Sequence, residues 1–149
     1  MPKEWRPRGQ VHLWRFLDNN RNYPGWNVAA DPDGLMALIE IVPLLEVGRF
    51  PFRTIPVAPP PPEVLRRANN AGGAARVWSP GTWKIHMRTD DLGVWSFPDA
   101  DPASLMMGAH RAAEFAAALR HAKAGTGDFC VGQRPRTEPG SPSQTLWFW

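Results

Sequence analysis

The chain has a single cysteine, Cys130, among 149 residues. A lone thiol cannot close an intramolecular disulfide, which excludes the stapled secreted scaffolds and points to a reducing compartment. Long apolar runs are missing as well. The longest, Leu35 to Val47, is interrupted by Glu40, Pro43 and Glu46, and it falls short of the roughly 20 apolar residues that span a bilayer. Lys3, Arg6 and Arg8 are followed by no apolar segment, so no signal peptide is expected. The expectation is a soluble, cytoplasmic protein without membrane association. Signatures of chemistry are equally scarce. No serine stands in a nucleophile elbow, and Gly72-Gly73 precedes neither a Lys-Ser/Thr pair nor dinucleotide spacing. Neither a hydrolase elbow nor a nucleotide cofactor is indicated, and no cofactor or metal is expected.

What is present describes an ordinary folded domain with two unusual features. The apolar fraction of 43% and the charged fraction of 21% belong to a globular chain with a core. The length fits one domain of about 100–150 residues, so residues 1–149 read as a single domain, with 1–9 as a flexible N-terminal segment. Seventeen prolines and thirteen glycines imply many turns and short elements. Eight tryptophans each need burial or a partner surface. The net charge of +3 conceals bands of alternating sign. Residues 53–88 carry six cations against one anion, whereas 89–105 carry four anions and no cation. A nucleic-acid binder concentrates Lys and Arg on one face, and these bands do not form one block in sequence.

Along the chain, Val11 to Leu17 is apolar on both alternating faces and reads as a covered strand. A turn-forming cluster, Asp18 to Gly25, joins it to a second strand, Trp26 to Ala30, suggesting a hairpin with a long polar connection. Asp31-Pro32-Asp33 opens a helix, with Asp31 as cap and Pro32 in the first turn. That helix carries Leu35, Leu38, Ile39, Val42 and Leu45, and Pro43 should kink or end it. Phe52 to Val57 is an edge strand because of Pro56. Pro59 to Pro62 is a rigid connector into a short helix, Glu63 to Ala68. Ala74 to Trp78 reads as extended. Trp83 to Arg88 gives the cleanest half-buried alternation, and after a turn Val94 to Phe97 returns as another strand. Asp101-Pro102 repeats the helix opening, predicting a helix from Leu105 to Lys123 with Leu105, Ala109, Ala112, Ala116 and Leu119 on one face. Asp128 to Gly132 and Thr145 to Trp149 are strands, the last too aromatic to leave in water. Hairpins outnumber crossovers, so the predicted fold is α+β: a mostly antiparallel sheet with two to three helices packed on it.

Five groups of residues invite a functional reading. His110, Glu114 and His121 share one helical face, but about 1.5 Å of rise per residue puts the histidines roughly 16 Å apart along the axis, too far for one ion. An exposed polar face is the better account. Cys130 has no local nucleophile signature and reads as a small buried apolar residue. Asp90-Asp91 and Asp99/Asp101 stand where turns and helix starts need carboxylates. Lys84, His86 and Arg88, with Arg76 on a neighbouring strand, form a basic stripe. Its aromatic neighbours point the other way, whereas binders of single strands interleave aromatics with charge. The fifth group is the loop Asn19, Asn20, Arg21, Asn22, Tyr23 and Trp26, whose residue types dominate binding hot spots.

The leading expectation is a non-enzymatic protein-binding module of the general type of a small bacterial immunity or adaptor protein, acting through that loop on a protein partner. The alternative is a small enzyme or small-molecule binder whose site is assembled from distant residues such as His12, His86 and Asp128. A third reading is a nucleic-acid binder using residues 53–88.

Overall fold

A computed structural model of the chain describes residues 6–17, 25–47, 52–68, 76–125, 129–132 and 143–149. Strand β1 (Val11–Phe16) is buried at every position, as a segment apolar on both faces requires. It pairs antiparallel with β2 (Trp26–Ala30), placing Val11 opposite Ala30 and Trp14 opposite Asn27. Strand β4 (Val77–Trp78) lies on the far side of β1. Strand β9 (Leu146–Phe148) runs parallel to β2, and β8 (Phe129–Val131) pairs antiparallel with β9. The order is β4-β1-β2-β9-β8. A second sheet takes the order β3-β5-β7-β6, from β3 (Phe52–Pro56), β5 (Thr82–Arg88), β6 (Trp95–Ser96) and β7 (Ala103–Gly108). Five of the seven described pairings are antiparallel. The α+β, mostly antiparallel prediction holds, with the strands divided between two sheets.

Helix α1 (Pro32–Glu46) starts where expected, with the Asp31 carboxylate accepting from the Gly34 amide at 2.7 Å. It does not end at Pro43. The proline faces solvent while Leu38, Ile41, Val42 and Leu45 are buried. Burying each such side chain is worth about 1.5–3 kcal/mol, which together outweighs the roughly 3 kcal/mol that an internal proline costs. Helix α2 (Pro62–Ala68) follows the proline connector.

The largest departure from the sequence reading lies at residues 103–108. Asp101-Pro102 opens no helix. Ala103 to Gly108 is strand β7, and the last helix, α3 (Ala109–Lys123), begins only after it. Ala103, Leu105 and Met107 are buried while Ser104 and Met106 are half-exposed, a period of two that the following alanine run obscures. Strand β7 pairs with β5 along its whole length and with β6 at Met106 and Met107, and that pairing outweighs the helical preference of Leu and Met. Strand β7 thereby separates β5 from β6.

One core joins both sheets to α1 and α3. Its centre is an aromatic stack. Phe97 lies between Trp26 of the first sheet, at 4.6 Å, and Trp83 of the second, at 5.8 Å, with all three rings nearly parallel. Phe115 of α3 meets Trp83 and Phe148 edge-on. The opposite face of the first sheet is also covered: Trp14, Phe16 and Ala29 pack with Val64 and Leu65 of α2. The second sheet differs. Both helices that contact it, α1 and α3, pack on its Trp83, Ile85 and Leu105 side. Among the described residues, no helix is long and apolar enough to cross a membrane.

Candidate functional site

The face of the second sheet turned away from α1 and α3 brings together residues that are distant in sequence. Alternation along β5 turns Trp83 and Ile85 inward and leaves Lys84 and His86 outward. Register then builds two rows across the strands. Phe52, His86, Met106 and Ser96 are successive partners, and so are Thr54, Lys84 and Ser104. Each step is about 4.8 Å, so the longer row spans roughly 15 Å. Phe52 is 41% exposed. The Lys84 ammonium stands 4.1 Å from the centre of its ring, and the His86 ring is 5.6 Å away. A cation over a ring face is attracted by the ring quadrupole, so Phe52 and Lys84 hold each other in place at the surface.

The electrostatics of this face are those of a modest cationic patch. Burial and the neighbouring Lys84 charge both push the His86 imidazole below its ordinary pKa, so it is neutral at pH 7. Arg88 is compensated: its Nε and Nη2 donate to the two oxygens of Asp90 at 2.8 and 2.9 Å. That bidentate bond raises the Arg88 pKa and lowers that of Asp90. Lys84, half-buried on β5, therefore carries the positive charge of the rows. It reaches toward β3 and the Phe52 ring, away from Ser104 on β7, so the two do not form a nucleophile and base pair. The arrangement suits recognition better than catalysis.

Of the basic stripe, Lys84, His86 and Arg88 do share this face, but Arg76 does not join them. Its carbonyl accepts from the Leu17 amide, which places it beside β1 in the first sheet. The aromatic that the stripe lacked in sequence is supplied by β3, since Phe52 sits between Lys84 and His86.

Asn19, Asn20, Arg21, Asn22 and Tyr23 lie outside the described residues. Trp26, at the end of their loop, is wholly buried; its Nε1 donates to the Phe97 carbonyl at 3.1 Å. Arg15, at the opposite root of the loop, lies over the Trp26 ring at 4.5 Å. It also donates to the Ser143 carbonyl at 2.8 Å and stands 3.3 Å from Asp99. Burial opposes the Arg15 charge and Asp99 supports it. These contacts anchor the loop's base to the core.

His12 and His86 occupy different sheets. The His12 Nδ1 stands 3.0 Å from the Ala58 carbonyl, and Asp128 is outside the described residues. Glu114 accepts from Arg111 at 3.1 Å, and the His121 ring stacks on Phe129 at 4.1 Å. Cys130 is half-buried on β8. Asp91 accepts from the Gly93 amide in a turn, and Asp99 serves Arg15. Phe52, Ser104, Met106 and Arg15 are the residues that sequence reasoning missed. Ser104 beside Leu105 is a local signal for one of them, whereas Met106 is as apolar as its inward neighbours and the Phe52–His86 register is non-local. No protein-family model, curated protein or solved structure matches this chain, so the functional argument rests on its own geometry.

Proposed function

We propose that this chain is a non-enzymatic protein-binding module, and that the outer face of its second sheet docks a partner presenting acidic side chains around an apolar patch. The carrying observation is Phe52, an exposed ring flanked by Lys84 and His86 on a sheet face that the protein's own helices leave bare. Aromatic, Met and Arg side chains are enriched where protein surfaces meet, and Phe52, Met106 and Arg88 share this face. Nucleic acid is the weaker candidate. Its affinity grows with the number of phosphates neutralised, and here Asp90 already neutralises Arg88. A cytoplasmic location fits the lone thiol and belongs to this reading.

Reversing charge with Lys84→Glu is expected to weaken the partner at least about tenfold, mainly through slower association. Phe52→Ala should do so through faster dissociation. Both positions are at the surface, so the melting temperature should stay within a few degrees. The check is affinity capture after nuclease treatment, with binding kinetics on the recovered protein. Retention unchanged in both variants would rule out this face.

His86 adds a pH dependence. Its pKa is lowered on folding, so the unfolded chain takes up the proton first as pH falls. The stability His86 contributes is full above its unfolded pKa, near 6.5, and is lost as pH drops through the lower folded value. Protonation also adds a cation to the face. Partner binding should therefore tighten below pH 6.5 while the melting temperature falls, and His86→Gln should flatten both trends. Titrations of wild type and variant that superimpose would remove His86 from the account.

A further inference from the structure

We infer that the outer edge of β3 is a strand-addition site for an extended segment alternating acidic and apolar residues. This deepens the proposal above and rests on it. The sheet face measures only roughly 15 by 20 Å, about 300 Å2, well below the ~800 Å2 per partner of a standard interface. An adjoining surface is needed, and β3 supplies it as the terminal strand of its sheet.

The ladder shows which β3 backbone groups are available. The Val57 amide donates to the Gly81 carbonyl at 3.0 Å, in the same register that pairs Ile55 with Trp83 and Arg53 with Ile85. In an antiparallel ladder hydrogen-bonded pairs recur at every second residue. Arg53, Ile55 and Val57 therefore bond toward β5, and the backbone groups of Phe52, Thr54 and Pro56 point away from it. The Phe52 carbonyl is taken by Arg53 Nη1 at 3.0 Å, and Pro56 has no amide. That leaves the Phe52 amide and both groups of Thr54 for an incoming strand, with Thr54 at the centre of the site; beyond Pro56 the edge is closed, because the Ala58 amide donates to the Val11 carbonyl of β1 at 2.9 Å. Thr54 is exposed and none of its backbone groups has a partner on the outer side among the described residues.

Charge selects the occupant. An incoming outward-facing residue beside Thr54 lies two strand spacings, about 10 Å, from the Lys84 backbone. A glutamate and a lysine side chain bridge that distance, and the alternate apolar residues of the segment turn to the opposite face, the side of β3 that carries the buried Ile55. Backbone bonds then give affinity and alternate side chains give selectivity, as in other strand-addition complexes.

The test uses the full-length protein and an acetylated, amidated eight-residue peptide of alternating Glu and Val. On saturation with it, hydrogen exchange at the Thr54 amide should slow at least about tenfold. Thr54→Pro removes that outward amide without touching the β5 ladder and should weaken the peptide about tenfold or more, whereas Thr54→Val should bind normally. Should Thr54→Pro unfold the chain, N-methylation of the peptide at alternate residues reads the same bonds: one register abolishes binding and the other does not. No binding up to about 1 mM peptide, or binding with Thr54 exchange unchanged, overturns the inference. Loss on Lys84→Glu with indifference to Thr54→Pro would sink the edge and keep the face, whereas indifference to both would end both. Concentration-dependent dimers abolished by Thr54→Pro would give the edge to a second copy and also overturn the proposal.

Discussion

A chain ending at Thr145 is expected not to fold. Strand β9 lies between β2 and β8, so its loss unpairs one edge of β2 and detaches β8. Leu146 is wholly buried and Phe148 is 1% exposed, the latter against Phe115. Removing a buried leucine costs about 2–5 kcal/mol and a buried phenylalanine about 3–5. Two further ties go with them: the Trp149 amide to the Val28 carbonyl, and the Trp149 Nε1 to Asn27 Oδ1, each at 3.0 Å. The sum reaches the ~5–15 kcal/mol that stabilises a whole domain. The deep burial falls on Leu146 and Phe148, whereas Trp147 and Trp149, which the sequence places in the core, are only half-buried. Near-ultraviolet circular dichroism and a melting curve decide the matter. A truncated protein with native dichroism and an unshifted transition would contradict the assignment of β9 as a central strand.

Trp26→Ala is expected to cost about 4–5 kcal/mol, the upper end for a buried aromatic. Three losses coincide there. The stack on Phe97 that joins the two sheets disappears, the Phe97 carbonyl loses its donor, and Arg15 stays buried without the ring beneath it. Trp26→Phe isolates the hydrogen bond, because it keeps a ring but leaves the Phe97 carbonyl unpaired, at about 1–3 kcal/mol. Trp14→Phe is the control. Trp14 is equally buried, yet its Nε1 has no acceptor among the described residues, so losing that donor removes an unsatisfied group. Denaturant unfolding of the three variants should rank Trp26→Ala as most destabilised and Trp14→Phe as least. A Trp26→Ala protein within about 1 kcal/mol of wild type would contradict the stack as the joint between the sheets.

Local patterning made much of this fold legible. Alternation at Trp83 to Arg88, the Asp31 cap, Pro56 at an edge and the aromatic terminus all act within a few residues, and all are where the sequence places them. The misreadings share a different cause. Leu105 to Gly108 read as the start of a helix because the alanine run after Gly108 outweighs a six-residue strand in any local window. The insertion of β7 between β5 and β6 has no local signal either, because it is a choice made by contacts across the fold. The candidate site was half visible for the same reason. Lys84, His86 and Arg88 share a face by period two alone, but Phe52 reaches them through pairing across some thirty residues. That pairing supplies the aromatic whose apparent absence had weighed against the stripe.

Photo-crosslinking from single positions tests the docking surface most directly. A photoreactive phenylalanine analogue is incorporated at Phe52 and, separately, at Phe129, which is 41% exposed on β8 at the edge of the first sheet. Irradiation in the source cells, followed by nuclease and mass spectrometry, reads what each position touches. The account predicts a discrete, nuclease-resistant protein adduct from position 52 and none from position 129, with the position-52 adduct weakened by Lys84→Glu. No adduct at 52, the same adduct from both positions, or an adduct that nuclease removes would contradict it.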